Sequence, residues 1–292
     1  MKNLNGIFTA LLTPFDENNK VNEKALEELV KFNVKLGVSG FYVGGSTAEA
    51  FFLSTEERKQ IMEVVKATAP ELTLIAHIGA LDERAAIELG QHAKKLDYDV
   101  VSSVAPFYFK YSFDEIKNYY LRLANASELP MLVYHFPGFS GVNMGIKEIE
   151  SFLTDDRFVG LKFTHNDFFL LERAKAYFPD KVVYNGFDEM FLCGIAMGAN
   201  GGIGSTYNFM ADKYVKIQKL FAEGKIAEAQ KIQVEANAIT EAMIKAGVMQ
   251  SEKAVLTALG IPMGQCRDPF GKLEGEKLEQ LLSFIMPRLE NN

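Results

Sequence analysis

Residues 158–167 read Phe158-Val159-Gly160-Leu161-Lys162-Phe163-Thr164-His165-Asn166-Asp167, an apolar run carrying one lysine and closing on a polar cluster. The run has the length and composition of a buried strand, and the cluster looks like a turn into a helix. Similar runs occur at Ile7–Leu12, Gly40–Val43, Leu72–Ile78, Val100–Val104, Met131–Tyr134, Val182–Tyr184 and Gly201–Ile203. With Val159–Phe163 they make eight candidate strands, each followed by an amphipathic helical pattern. That periodicity is clear over Glu23–Leu36, Glu56–Ala67, Glu83–Leu96 and Ile116–Ala124. Ser54-Thr55-Glu56-Glu57 and Ser112-Phe113-Asp114-Glu115 carry the capping-box pattern that starts a helix. Strand–helix alternation implies parallel strands with helical crossovers, and eight units suit an α/β fold closed as a (β/α)8 TIM barrel. A doubly wound open sheet is the alternative, but its glycine-rich dinucleotide and phosphate loops are absent.

After Ser205 the alternation stops. Phe209–Ala222, Ile226–Ala246, Glu252–Leu259 and Lys277–Leu289 read as helices with no strands between them. The expected organisation is a barrel over residues 1–222 and a C-terminal helical extension over residues 223–292, packed on the barrel. Its long apolar faces would equally suit a subunit interface.

The composition, 48% hydrophobic and 24% charged, is that of a soluble globular protein with ample core material. A formal net charge of −7 without basic runs argues against nucleic acid or an anionic membrane as partner. Two cysteines, Cys193 and Cys266, make no disulfide framework, and they read as packing residues in a reducing compartment. The polar start Met1-Lys2-Asn3-Leu4-Asn5-Gly6 does not look like a secretory signal, and no apolar stretch reaches membrane-spanning length. A cytoplasmic location is expected.

Lys162 is the residue with chemical promise. Burial disfavours a charged amine, and a lysine that stays partly neutral is the nucleophile that Schiff-base chemistry needs. Taken alone, such a lysine more often escapes past its strand end into solvent. Its company changes the reading, because a barrel carries its site where the strands end. After the second strand, Gly44-Gly45-Ser46-Thr47-Ala48-Glu49 offers flexible backbone and two hydroxyls, a cradle for a carboxylate. The fourth strand leads into the aromatic loop Pro106-Phe107-Tyr108-Phe109-Lys110-Tyr111. The fifth ends in Tyr134-His135-Phe136-Pro137-Gly138-Phe139-Ser140-Gly141, where Tyr134 is placed to point into the barrel mouth and relay protons. His135 alternates with it and should face outward in a structural role. The seventh strand runs into Asn185-Gly186-Phe187-Asp188-Glu189 and the eighth into Gly204-Ser205-Thr206-Tyr207-Asn208, polar rims suited to a polyhydroxylated ligand. His77 and His92 have no ligand constellation beside them, so no metal site is indicated.

Together these segments resemble the N-acetylneuraminate lyase family of pyruvate-dependent class I aldolases. The resemblance rests on Gly44–Glu49, Tyr134–Gly141, Gly160–Asp167, Gly186–Glu189 and Gly201–Asn208 in family order, with Leu11-Leu12-Thr13-Pro14-Phe15 as the opening strand. It covers essentially the whole chain. It implies a barrel with C-terminal helices, usually a homotetramer, acting on N-acetylneuraminate, N-acetylmannosamine and pyruvate without a cofactor. By the same resemblance Lys162 would form the Schiff base, Tyr134 would relay protons, and Ser46 and Thr47 would hold the pyruvyl carboxylate. Thr164, Gly186, Asp188, Glu189 and Ser205 would bind the sugar portion, with Tyr108 as a supporting aromatic near a neighbouring subunit's site.

Three positions depart from the family pattern. Ala48 replaces a frequent glycine and would carry strain if a positive φ were needed there. His165 stands where a small residue is commoner, and Phe187 where tyrosine is. The rival activities in the superfamily are dihydrodipicolinate synthesis and cleavage of other 2-keto-3-deoxy sugar acids; the former typically uses an arginine after the strand-five tyrosine. Phe139 stands there, and it cannot replace a bidentate cation. A catalytically silent ligand-binding relative is the alternative of another class, and it predicts loss of Lys162 or Tyr134; both are present.

Overall fold

All eight apolar runs form strands. In the computed structural model, which describes residues 2–290, they are β1 (Gly6–Ala10), β2 (Gly40–Val43), β3 (Thr73–His77), β4 (Val100–Val104), β5 (Met131–His135), β6 (Phe158–Phe163), β7 (Val182–Asn185) and β8 (Gly201–Gly204). Each pairs in parallel with the next, and β8 pairs with β1, closing the barrel. The crossovers are helical: α1 (Glu23–Lys35), α2 (Thr55–Thr68), α3 (Glu83–Lys95), α4 (Phe113–Ser127), α5 (Pro137–Ser140), α6 (Ile146–Leu153), α7 (Phe168–Tyr177) and α8 (Phe191–Ala196). Four more helices follow β8: α9 (Tyr207–Ala222), α10 (Ile226–Ala246), α11 (Val248–Ala258) and α12 (Glu276–Glu290).

The helices start where the side chains allow it. Ser54 and Ser112 form reciprocal capping boxes with Glu57 and Glu115, satisfying N–H groups that the first turn leaves free. In α1, Ala25, Leu26, Leu29, Val30 and Asn33 form the buried stripe. Asn33 is polar on that stripe because it is satisfied: it accepts from Thr9 Oγ1 at 2.6 Å and donates to the Leu29 and Asn208 carbonyls.

Strand alternation divides the core in two. One set of side chains, including Phe8, Tyr42, Ile75, Leu132, Tyr134, Tyr184 and Ile203, fills the barrel interior. The other, including Phe41, Val133, Leu161 and Phe163, packs outward against the helices. His135 follows the outward set as expected, buried against Phe163 and His165. Burial pushes its pKa down to about 4, so it is neutral at physiological pH.

The C-terminal helices are fastened to the barrel by a buried ion pair. Lys253 of α11 donates to Glu49 Oε1 at 2.6 Å, with side-chain exposures of 2% and 0%. The Arg267 backbone N–H donates to the other Glu49 oxygen at 2.7 Å. Removing one partner of such a pair strands the other charge in the interior. Lys253→Ala is therefore expected to lower unfolding free energy by about 3–5 kcal/mol, read from urea denaturation. A loss below about 1 kcal/mol would mean that the pair does not fasten the extension.

The cysteines depart from expectation in one respect. Both are free, but Cys193 is exposed rather than packed, and only Cys266 is partly buried. No helix among the described residues is long and apolar enough to cross a membrane.

Candidate active site

A cavity of about 670 Å³ opens at the C-terminal ends of the strands. Lys162 enters it from β6 and Tyr134 from β5, at paired positions on neighbouring strands. The lysine is only 5% exposed. Its Nζ lies 4.2 Å from the ring centroids of both Tyr42 and Tyr134. Desolvation pushes the amine pKa down to about 7, against a smaller opposing pull from the Asp188 carboxylate. A substantial neutral fraction thus exists at neutral pH, which is what an attacking amine requires.

The Tyr134 phenol is pushed well above its ordinary pKa by burial, and the Thr164 and Ser46 hydroxyls pull it partly back. Those hydroxyls act on it without a completed hydrogen bond to Thr164, whose Oγ1 is buried and has no partner. A neutral phenol between two hydroxyls is a proton carrier rather than a standing base.

The β2 loop is built around Ser46, Thr47 and Ala48, a single tight helical turn whose leading N–H groups have no partner within the turn. Ala48 carries no strain, because the left-handed residue is Glu49 at φ 59°, the one anchored by Lys253. Arg58, almost fully buried, donates to the carbonyls of Gly44, His77 and Gly79, fixing the ends of β2 and β3. His77 also braces this rim. Burial drives its pKa down to about 3, so its neutral ring donates from Nδ1 to the Gly44 carbonyl and accepts the Val104 N–H at Nε2.

Asp188 follows β7 and is buried. Its Oδ2 accepts the Thr206 N–H at 2.9 Å and the Thr206 hydroxyl at 2.8 Å, while Oδ1 has no partner. Desolvation raises its pKa to about 6, against those two hydrogen bonds. Glycine is required opposite it: a Cβ on Gly204 would lie 1.8 Å from Asp188 Oδ1. A Cβ on Gly186 would likewise lie 1.9 Å from Thr164 Oγ1. The turn carrying Asp188 and Glu189 is held from α10, where Gln233 donates to the Asp188 carbonyl and Asn237 to the Glu189 carbonyl.

The fold thus brings Ser46, Thr47, Tyr134, Lys162, Thr164, Gly186, Asp188, Glu189 and Ser205 to one cavity. Tyr108 is not among them; it stands 86% exposed at positive φ, away from the cavity of its own chain. Sequence reading missed Tyr42, Arg58 and Glu252. The signal for Tyr42 was present, since alternation from Phe41 aims it inward beside the Gly44-Gly45 loop.

Comparison with known proteins places this architecture. The model of the dihydrodipicolinate synthetase family matches residues 3–286. The chain belongs to this family. Within it, the N-acetylneuraminate lyase of Rhizobium meliloti is 43% identical over 98% of this chain and 96% of its own length. Among family structures, that of CdNal from Clostridium difficile in complex with mannosamine superposes with a TM-score of 0.96, at 36% identity, covering 98% of this chain and 100% of that one. The N-acetylneuraminate lyase of Fusobacterium nucleatum complexed with pyruvate gives a TM-score of 0.91 at 39% identity, covering 96% and 97% of the two chains.

Proposed function

We propose that the protein is an N-acetylneuraminate lyase, a class I aldolase that reversibly cleaves N-acetylneuraminate to N-acetyl-D-mannosamine and pyruvate. The observation that carries the reading is the Lys162 amine, buried between two tyrosine rings at the base of a cavity rimmed with hydroxyls and carboxyls. Full-length relatives of that name support the substrate.

The neutral Lys162 amine adds to the C2 ketone of the open-chain sugar acid, and loss of water leaves a protonated imine. Deprotonation of the C4 hydroxyl breaks the C3–C4 bond. Its electron pair flows into the imine and leaves an enamine at C3, while N-acetylmannosamine departs as the aldehyde. Protonation of C3 and hydrolysis release pyruvate and restore the amine. Tyr134 carries protons to the leaving water and from the C4 hydroxyl, passing them along Thr164 and Ser46. Ser46 and Thr47 hold the carboxylate, and Thr164, Gly186, Asp188, Glu189 and Ser205 receive the sugar. Phe139, its ring tilted against that of Phe136 with centroids 4.2 Å apart, forms part of the wall. Among the described lining residues the only basic side chain is Lys162, which disfavours an anionic second substrate such as aspartate semialdehyde.

Two measurements test this. Borohydride reduction with pyruvate should label the peptide containing Lys162, and an unlabelled enzyme would refute the imine. In an acceptor panel, N-acetylmannosamine should outpace aspartate semialdehyde; the reverse order would overturn the substrate. The pH dependence follows from the lowered lysine pKa. The rate of imine formation should rise about tenfold per pH unit below about 7 and level off above it, as the amine loses its proton.

A further inference from the structure

One carboxyl group behind the cavity has no role in that chemistry. Glu252 lies on α11 with no exposed surface, and neither side-chain oxygen has a hydrogen-bond partner. No cation pairs with it among the described residues. Lys253 beside it is committed to Glu49 and to the Gln265 carbonyl. The groups facing it are the Ser205 hydroxyl after β8, the Asp188 carboxyl after β7 and the Cys266 thiol after α11. Burial first, and the Asp188 charge as a smaller contribution, push its pKa up to about 8, with Ser205 pulling the other way. At neutral pH it is a carboxylic acid with one O–H to donate, and the Ser205 hydroxyl is the group beside it that also reaches the cavity. A buried acid with no partner costs stability, and a leucine would fill the same space without that cost.

We propose that Glu252 is a positioning residue for the sugar end of the cavity: it donates its proton to Ser205 Oγ, so that the Ser205 O–H points into the cavity and selects an acceptor oxygen of the bound sugar acid. This rests on the lyase reading above. Ser205 has a single proton, so what stands behind it decides which way that proton faces. A neutral Glu252 fills one lone pair of Ser205 Oγ and turns its O–H toward ligand. An ionised Glu252 instead accepts that O–H, and the cavity loses a donor. The Glu252 oxygens have no completed hydrogen bond in the structure, and under the proposal this one forms when ligand engages Ser205.

The test is steady-state cleavage of N-acetylneuraminate from about pH 6 to about pH 10 for the wild type, Glu252→Gln, Glu252→Leu, Ser205→Ala and the Glu252→Leu/Ser205→Ala pair. For the wild type above about pH 7, where the Lys162 amine has largely lost its proton, KM should rise about tenfold through about pH 8 while kcat moves less than about twofold, the loss of one hydrogen bond in binding. Glu252→Gln keeps a donor and cannot ionise, so its KM should stay low and flat. Glu252→Leu should carry the raised KM at every pH and melt at a higher temperature than the wild type. Adding it to Ser205→Ala should raise KM no further. A flat wild-type profile, additive effects in the pair, or parallel losses of kcat and melting temperature in both Glu252 variants would overturn the proposal. Pyruvate labelling of Lys162 should be equal in the wild type, Glu252→Gln and Glu252→Leu. Its failure in the wild type would instead strike the lyase reading.

Discussion

Lys162→Ala is expected to abolish turnover, with kcat falling on the order of 10⁵-fold or more, the scale reached when a covalent nucleophile is removed. No pyruvate adduct should survive borohydride. The expectation rests on placement: no other primary amine lines the cavity among the described residues, so nothing nearby takes over. The same residue should betray its cost to the fold. A lysine pKa held down at about 7 means that the unfolded chain binds the proton more tightly than the folded one. Stability contributed by this site therefore rises with pH from about 7 toward the ordinary lysine value, and is lowest below 7. Lys162→Met, which fills the space without a charge, should be inactive yet more stable than the wild type by several kcal/mol near pH 6, on the order of 4–5 from the pKa difference. Equal or lower stability of Lys162→Met at that pH would mean that the amine is solvated in the folded protein, and the basis for its nucleophilicity would go with it.

Tyr134→Phe should lower kcat by about 10²–10⁴-fold with little change in KM, the usual range for loss of a proton-transfer partner. Phenylalanine keeps the ring that covers the Lys162 amine at 4.2 Å, so amine burial and the lowered lysine pKa should persist. What is lost is the hydroxyl between Thr164 and Ser46. Pyruvate labelling of Lys162 should consequently survive in this variant but appear more slowly. A near-wild-type kcat would remove Tyr134 from the mechanism. A lost label would mean that the ring, not the phenol, had been disturbed.

Much of the barrel was legible because parallel strands buried on both faces are short, continuous and apolar, and none of the eight runs had a competing use. Boundaries slipped where tertiary contacts replace local signals. Sequence periodicity begins the eleventh helix at Glu252, whereas α11 begins at Val248, directly after Gly247 turns the chain at φ 105° with no side-chain cap. That slip also hid Glu252. An acid at an expected helix start reads as exposed and favourable to the helix dipole. It is the fold that brings Ser205 and Asp188, tens of residues earlier, against it. Tyr42 was hidden for the opposite reason, since an aromatic inside a strand reads as filling. Arg58 could not be assigned either, because its partners are three backbone carbonyls, which leave no mark on side-chain pattern. The nine residues now gathered around the cavity were recognisable because each sits near the end of an apolar run or just past it, where topology rather than packing decides what a polar side chain meets.

The hydrogen bonds from Gln233 and Asn237 to the backbone of Asp188 and Glu189 separate two tasks physically. In the lyase reading proposed above, bond cleavage falls to side chains of β5 and β6, while the turn assigned to the acceptor sugar is held by a helix outside the barrel wall. Substitutions along one face of that outer helix would tilt the grip and leave the electron sink untouched. Such a scaffold would let preference among sugars be altered by substitutions that leave the Lys162 amine and its two tyrosine rings in place.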